Sequence, residues 1–305
     1  MTSPTPTTAD GGAPLATSPS AVTSVAVIGF GTMGSGIAQV CAQSGLEVRV
    51  VERSEAVIER DMAGIARQLD RAVDKGRMES DERDATLARL LPTTDLEQAF
   101  GVDLVIEAIP EQLQLKLELF RTLGAEVAPH TILATNTSAL SVTEIAAAAH
   151  LPERVCGLHW FNPAPVLPLV EVVRAERTSD ATIERAVEFV RSVGKHPITC
   201  RDTPGFVVNR ILIPVLNDVV ALWDQGLASA QDIDDGCRFG LNWPIGPLAL
   251  CDLIGLDVAV HAAEALYGAS REPRMAPPAA MVRMVKAGKL GRKTGEGFYS
   301  YADRA

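Results

Sequence analysis

The sequence predicts an α/β fold: a doubly wound parallel sheet with an inserted helical hairpin, followed by an all-α C-terminal domain. Three observations predict it. A β-branched run ending in glycine, SVAVIG (residues 24–29), leads into a helical pattern over residues 33–44 and a second apolar run, EVRVVE (residues 47–52). Strand-like and helix-like segments then alternate to about residue 200, the pattern of a sheet wound by crossover helices. After Arg201 the strand pattern stops until the last few residues.

The bulk numbers agree with two domains. A chain of 305 residues is long for one, and 47% hydrophobic residues with 22% charged give it a sizeable core. A net charge of −10 leaves no basic excess to neutralise phosphates, so no nucleic-acid partner is expected. Cys41, Cys156, Cys200, Cys237 and Cys251 are widely spaced and odd in number, which suits reduced core residues of a cytoplasmic protein rather than a disulfide framework or a metal site. Residues 1–23, rich in Thr, Pro, Ser and Ala, lack the basic start and apolar run of a secretory signal. Too few large apolar groups are present there to offset the entropy of ordering, so a disordered tail is expected. No apolar run reaches the roughly 20 residues that cross a bilayer, so no membrane contact is expected.

The first domain, expected over residues 24–201, opens with the strand–helix–strand unit. Residues 54–91 are helical in period, rich in Arg, Asp and Glu and broken near Gly76, which predicts a solvated helical hairpin. Strands resume at VDLVIEAI (102–109), TILATN (131–136), RVCGLHWF (154–161) and LVEVVRA (169–175), with a last one near 196–200. Helices fall between them, notably over 111–127 and 180–193. The second domain, 202–305, opens at Asp202-Thr203-Pro204, where Asp202 is expected to cap a helix. That helix runs over 206–223 and contains Pro214, which costs about 3 kcal/mol in a straight helix and predicts a kink. Gly246-Pro247 and Pro277-Pro278 start further helices, and LGRKTGEGFYSY is expected to wrap back onto the body. The apolar excess of these helices points to a partner subunit in a homodimer.

Gly29-x-Gly31-x-x-Gly34 stands between the first strand and the first helix, in the Rossmann arrangement. Gly29 permits the tight turn, Gly31 lets backbone approach a pyrophosphate, and Gly34 lets helix and strand pack closely. Thr32 and Met33 belong to the same turn. Glu52 ends the second strand about 20 residues on, where a carboxylate accepts the ribose hydroxyls and repels a 2′-phosphate. This selects NAD over NADP, although the neighbouring Arg53 is of a kind that accommodates that phosphate.

Gly157-Leu158-His159-Trp160-Phe161-Asn162-Pro163 lies at the C-terminal end of a strand, the edge where open α/β sheets bind ligands. His159 is the candidate acid–base, and Glu171 on the next strand is placed to orient its ring. Six blocks in order, VIGFGTMGSGIA, VIEAIPEQLQLK, ATNTSAL, GLHWFNPAPVLPLVEVV, DTPGFVVNRILIPVLN and KLGRKTGEGFY, resemble the 3-hydroxyacyl-CoA dehydrogenases over nearly the whole chain after the tail. The resemblance is closest to the short-chain, 3-hydroxybutyryl-CoA members. It implies reversible NAD-dependent oxidation of an (S)-3-hydroxyacyl-CoA, with a coenzyme A thioester as partner and a helical dimerisation domain. It places the catalytic histidine at His159, its glutamate at Glu171 and the serine that meets the substrate oxygen at Ser138. The positioning asparagines fall at Asn162 and Asn209, and Asn136 stands two residues before Ser138 in the same block. Glu111 and Lys116 match residues near the nicotinamide and the coenzyme A arm. Lys75 and Arg77, in the charged hairpin, are candidates for the coenzyme A phosphates. Pro168 departs from the pattern's lysine, Trp160 from its phenylalanine and Glu52 from its aspartate, and these departures bear on substrate preference.

Two other readings share these residues. A dehydrogenase of a free hydroxy or sugar acid would need a cationic clamp near the nicotinamide, and a carrier-protein-bound acyl group would need a different grip on the distal arm. A non-catalytic NAD-binding protein would have no need to retain His159, Glu171, Ser138 and Asn209 together.

Overall fold

The computed structural model describes residues 21–301. In chain order the first domain comprises β1 (Ser24–Ile28), α1 (Thr32–Gln43), β2 (Glu47–Val51), α2 (Glu55–Asp74), α3 (Ser80–Ala88) and β3 (Leu90–Thr93). It continues with β4 (Leu104–Glu107), α4 (Leu113–Glu126), β5 (Ile132–Thr135), α5 (Val142–Ala148), β6 (Val155–Trp160), β7 (Leu169–Arg174), α6 (Asp180–Ser192) and β8 (His196–Arg201). Helices α7 (Val208–Asp224), α8 (Ala230–Asp235), α9 (Pro247–Ile254), α10 (Leu256–Ser270) and α11 (Ala279–Lys286) form the rest. The expected disordered tail falls on residues 1–20, outside the described residues, except at its end. There Thr23 is tied in, its amide and hydroxyl donating to Asp103 at 2.9 and 2.8 Å.

The eight strands form one sheet in the order β3-β2-β1-β4-β5-β6-β7-β8. Alternation along each strand sends side chains to opposite faces. Val25 and Val27 join the core under α1, α2 and α6 through Ile37, Ile65 and Phe189. Ala26 and Ile28 join the core under α4 and α5 through Phe120 and Ile145. The sheet is thus wound on both faces. Strand order reverses between β1 and β4, which opens a crevice at their C-terminal ends. The hairpin of α2 and α3 lies against α1, and Ile65 and Leu69, one turn apart, are the residues α2 buries.

The structure corrects three expectations. The sheet is not wholly parallel: β7 runs antiparallel to β6, and β8 parallel to β7. Only residues 161–168 join β6 to β7, too few for the crossover of a dozen or more that a parallel pair needs. The hairpin ends before Leu90, and β3 adds a short edge strand beside β2, where Pro92 is tolerated. Asp202 does not cap the following helix. It accepts from the Ser141 hydroxyl at 2.9 Å and the Thr143 amide at 2.7 Å, fixing the start of α5 instead.

In the second domain α7, with Pro214 inside it, packs against α9, α10 and α11 around Leu216, Val220, Leu256 and Met281. The glycine-rich C-terminal stretch wraps back as expected, the amides of Phe298 and Tyr299 donating to the Asp252 carboxylate. Cys41, Cys156 and Cys251 are buried, and burial pushes each thiol up to about 12. Among the described residues no helix is long and apolar enough to cross a membrane.

Candidate active site

The glycine turn closes against the crevice. Gly29 has φ of +91°, and a Cβ there would stand 2.7 Å from the Ala108 carbonyl oxygen on the far side of the switch point. A Cβ on Gly34 would stand 1.8 Å from the Gly29 oxygen, so helix α1 and strand β1 approach as closely as backbone allows. Gly31 differs. Nothing lies within 4 Å of its Cβ position. That open cradle sits at the N-terminus of α1, whose first turn carries no acidic residue, and a pyrophosphate laid there meets free amides and the positive end of the helix dipole. Glu52 closes the side of the turn, accepting from the Phe30 amide at 3.0 Å. Arg53 beside it is exposed. The residues therefore fit the dinucleotide that the motif predicts.

A cavity of about 530 Å³ continues from this turn along the strand ends, with α7 and α10 on its other side. It brings together nine of the predicted residues: Thr32, Met33, Glu111, Lys116, Asn136, Ser138, His159, Asn162 and Asn209. His159 is 5% exposed and lies opposite Glu171 in the β6–β7 register, so the antiparallel turn of β7 creates their contact. Nδ1 of His159 is 2.6 Å from Glu171 Oε2. The second carboxylate oxygen accepts from the Val207 and Val208 amides at 3.0 and 2.9 Å. Glu171 thereby caps α7 and ties the two domains together. Burial alone raises the Glu171 pKa, but the bonds from His159 and the two amides outweigh it and hold the carboxyl below its ordinary value. The rings of Phe161 and Phe206 flank the imidazole, with centroids 4.6 and 5.5 Å away. Its Nε2 is left for the cavity, an arrangement that can move a proton to or from a bound oxygen.

The polar groups around it divide into free and engaged. The side-chain amides of Asn162 and Asn209 make no hydrogen bond among the described residues, and both line the cavity. The Ser138 hydroxyl comes no nearer a protein acceptor than 3.5 Å, to Glu111. Asn136 is partly engaged, its Oδ1 accepting from the Trp160 amide at 2.9 Å and fixing β6 beside His159. Trp160 itself is 2% exposed and belongs to the core cluster, which absorbs the departure from phenylalanine.

Glu107, at the end of β4, was not singled out by the sequence. It is fully buried and bonds Lys116 Nζ at 2.5 Å, the Thr135 hydroxyl at 2.7 Å and the Ile109 amide at 2.8 Å. Burial raises its pKa against the pull of Lys116. A charge closing the apolar run VIE was the available signal. Glu111 is drawn the other way: Lys116 and the Thr137 hydroxyl overcome its burial and lower its pKa.

Lys75 is not brought to the cavity. It stands exposed just past the end of α2, roughly 30 Å along a 20-residue helix from its start. Arg77 is exposed in the turn beyond it. A second groove of about 260 Å³ opens between α1 and the middle of α2, lined by Ser35, Gln39, Asp61 and Gln68. It shares Thr32 and Asn162 with the cavity.

Comparison with known proteins agrees with this geometry. Residues 24–203 match the family described as 3-hydroxyacyl-CoA dehydrogenase, NAD binding domain, and residues 205–301 match its C-terminal domain. A 3-hydroxybutyryl-CoA dehydrogenase of Mycobacterium tuberculosis is 44% identical over 283 residues, covering 92% of this chain and 99% of the relative. The human mitochondrial hydroxyacyl-coenzyme A dehydrogenase is 42% identical over 284 residues, covering 91% of this chain and 90% of the relative. The crystal structure of (S)-3-hydroxybutyryl-CoA dehydrogenase from Ralstonia eutropha superposes with a TM-score of 0.88 at 42% identity, covering 93% of this chain and all of that one.

Proposed function

The chain belongs to the 3-hydroxyacyl-CoA dehydrogenase family and is an NAD-dependent oxidoreductase, and from that premise we propose that it interconverts (S)-3-hydroxybutyryl-CoA and acetoacetyl-CoA with His159 as the proton carrier. The observation that carries this reading is the 2.6 Å contact of His159 Nδ1 with Glu171, which leaves Nε2 to a cavity also lined by Ser138 and Asn209.

Bound NAD supplies the hydride acceptor for the hydrogen on C3. His159 Nε2 takes the hydroxyl proton in the oxidative direction and returns it in the reductive one. Glu171, kept ionised by its bonds to His159 and α7, fixes the proton on Nδ1 and stabilises the imidazolium that results. Ser138 and Asn209 hold the reacting oxygen beside the histidine, and such positioning contributes as much as the proton transfer itself. Phe161 and Phe206 shield the imidazole from water. The thioester arm runs along the α1–α2 groove, past Thr32 and Asn162. Glu52 disfavours a 2′-phosphate on the dinucleotide.

A free hydroxy acid is disfavoured by the cavity's charge. Among the described residues its one lining lysine or arginine is Lys116, which is 1% exposed and already bonded to two carboxylates. Initial rates test the substrate and cofactor together. Acetoacetyl-CoA with NADH is expected to exceed free acetoacetate by at least about 10²-fold in kcat/KM, roughly 2.7 kcal/mol of transition-state stabilisation, and to exceed acetoacetyl-CoA with NADPH. Equal turnover of free acetoacetate would replace the thioester reading with the hydroxy-acid one.

The protein acts as a homodimer through its helical domain. Among the described residues, eight of the eleven exposed large apolar side chains follow residue 204, among them Ile211, Leu227, Phe239 and Leu241 at 64 to 76% exposed, a concentration that suits a partner subunit. Sedimentation of the full chain at micromolar concentration is expected to give twice the chain mass; a monomer would contradict it.

A further inference from the structure

Glu107 takes no part in the proton transfer, yet it is buried as fully as Glu171, which does. We propose that Glu107 is a positioning residue for the reaction: it anchors Lys116, Lys116 sets Glu111, and Glu111 holds the 137–139 turn so that Ser138 meets the substrate oxygen. This rests on the reading of Ser138 given under the proposed function.

The contacts form an unbroken series. Glu107 and Thr135 are directly paired in the β4–β5 register, and the Thr135 hydroxyl donates to Glu107 Oε2 at 2.7 Å. The strand that leads into the Ser138 turn therefore also fixes the buried carboxylate. Lys116 Nζ lies 2.5 Å from Glu107 Oε1, 3.3 Å from the Ile109 carbonyl oxygen and 3.3 Å from Glu111 Oε2. The first two are hydrogen bonds and the third is an ion pair, so Lys116 links the buried carboxylate to Glu111 at the cavity wall. Its task is to tie. Glu111 passes the constraint on, its Oε1 accepting from the Thr137 hydroxyl at 2.5 Å, the Ser138 amide at 2.9 Å and the Ala139 amide at 3.2 Å. The Ser138 hydroxyl stays 3.5 Å away from that oxygen. The backbone of the turn is held while its hydroxyl remains available, which is what placing a substrate oxygen requires.

An ion pair kept for stability alone would act on the whole fold and not through Ser138. A double-mutant cycle on kcat for acetoacetyl-CoA reduction separates the two. Glu107→Gln is expected to lower kcat about tenfold, within the range of coupling between groups in one network, with KM little changed. In a Ser138→Ala background the same substitution is expected to cost less than about twofold. Thr135→Val removes only the hydroxyl that holds Glu107 and is expected to act in the same direction more weakly; it replaces Glu107→Gln in the cycle if that variant does not fold. Full additivity, or unchanged kcat in both Glu107→Gln and Thr135→Val, overturns the inference while leaving the role of Ser138 intact. Unchanged kcat in Ser138→Ala alone would overturn the reading of Ser138 and this inference with it.

Discussion

His159–Glu171 and Lys116–Glu107 stand at the same edge of the sheet, and on distance and burial they are nearly alike. Each joins a nitrogen to a carboxylate, at 2.6 and 2.5 Å. Both carboxylates are fully buried, and the nitrogen partners are 5% and 1% exposed. They differ in what remains after the protein has made its bonds. Glu171 engages one ring nitrogen of His159 and leaves the other to the cavity, whereas Lys116 is held by hydrogen bonds to Glu107 and the Ile109 carbonyl and by an ion pair with Glu111. Burial is the largest influence on both carboxyls, yet Glu171 is shifted down by the bonds it accepts and Glu107 is shifted up. A buried pair becomes chemically useful through the atom it leaves over, and one whose nitrogen is held among protein acceptors serves as a fixture.

The largest expected effect sharpens this contrast on the fixture's side. Lys116→Met leaves Glu107 buried without its counter-charge, and breaking a buried pair from one side costs about 3 to 5 kcal/mol. Urea unfolding is expected to show that loss and to show most of it recovered in Glu107→Gln combined with Lys116→Met, since a neutral pair has no ion to desolvate. If Lys116→Met is as stable as the parent, Lys116 is not a fixture and the contrast fails.

The same contrast recurs along α7 between two asparagines. Asn217 is 5% exposed and donates to the Arg274 and Ala276 carbonyls at 3.0 and 3.2 Å, so it bridges α7 to the loop before α11. Asn209, in the first turn, lines the cavity and makes no such bond among the described residues. Asn217→Ala is expected to destabilise the fold by about 1 to 3 kcal/mol, the cost of stranding buried polar partners, with kcat nearly unchanged. Asn209→Ala is expected to do the reverse, lowering kcat/KM about tenfold, or 1.4 kcal/mol, with little change in Tm. An exchange of these two outcomes would show that Asn209 is the structural bridge.

The sequence carried most of this where the signal was local. The strand, the glycine turn and α1 follow from periodicity and glycine spacing within residues 24–44, and the groups lining the cavity fall in blocks that read as motifs. What escaped it depends on partners remote in the chain. The direction of β7 is set by the short 161–168 connection, not by any pattern within LVEVVR. Asp202 has the composition and position of a cap for the next helix, but the group it bonds is 61 residues earlier, at Ser141. Lys75 reads as part of a basic cluster, and nothing in its charge tells that it stands just past the end of α2, outside the lining of either groove. Glu107 sits inside a block that reads as motif, yet its importance depends on Thr135 and Lys116 converging on it.

The central claim is that the atom left over on His159 carries the proton. Its most direct test pairs turnover with cofactor binding in one variant, His159→Gln, which preserves polarity and approximate size but cannot exchange a proton. Acetoacetyl-CoA reduction is expected to fall by at least about 10²-fold in kcat, the scale of general acid–base catalysis, while the Kd for NADH, which we propose rests on the Gly31 cradle and Glu52, stays within about twofold. Near-normal turnover in this variant would contradict the account, because the proton would then have to travel through a group other than the His159–Glu171 pair.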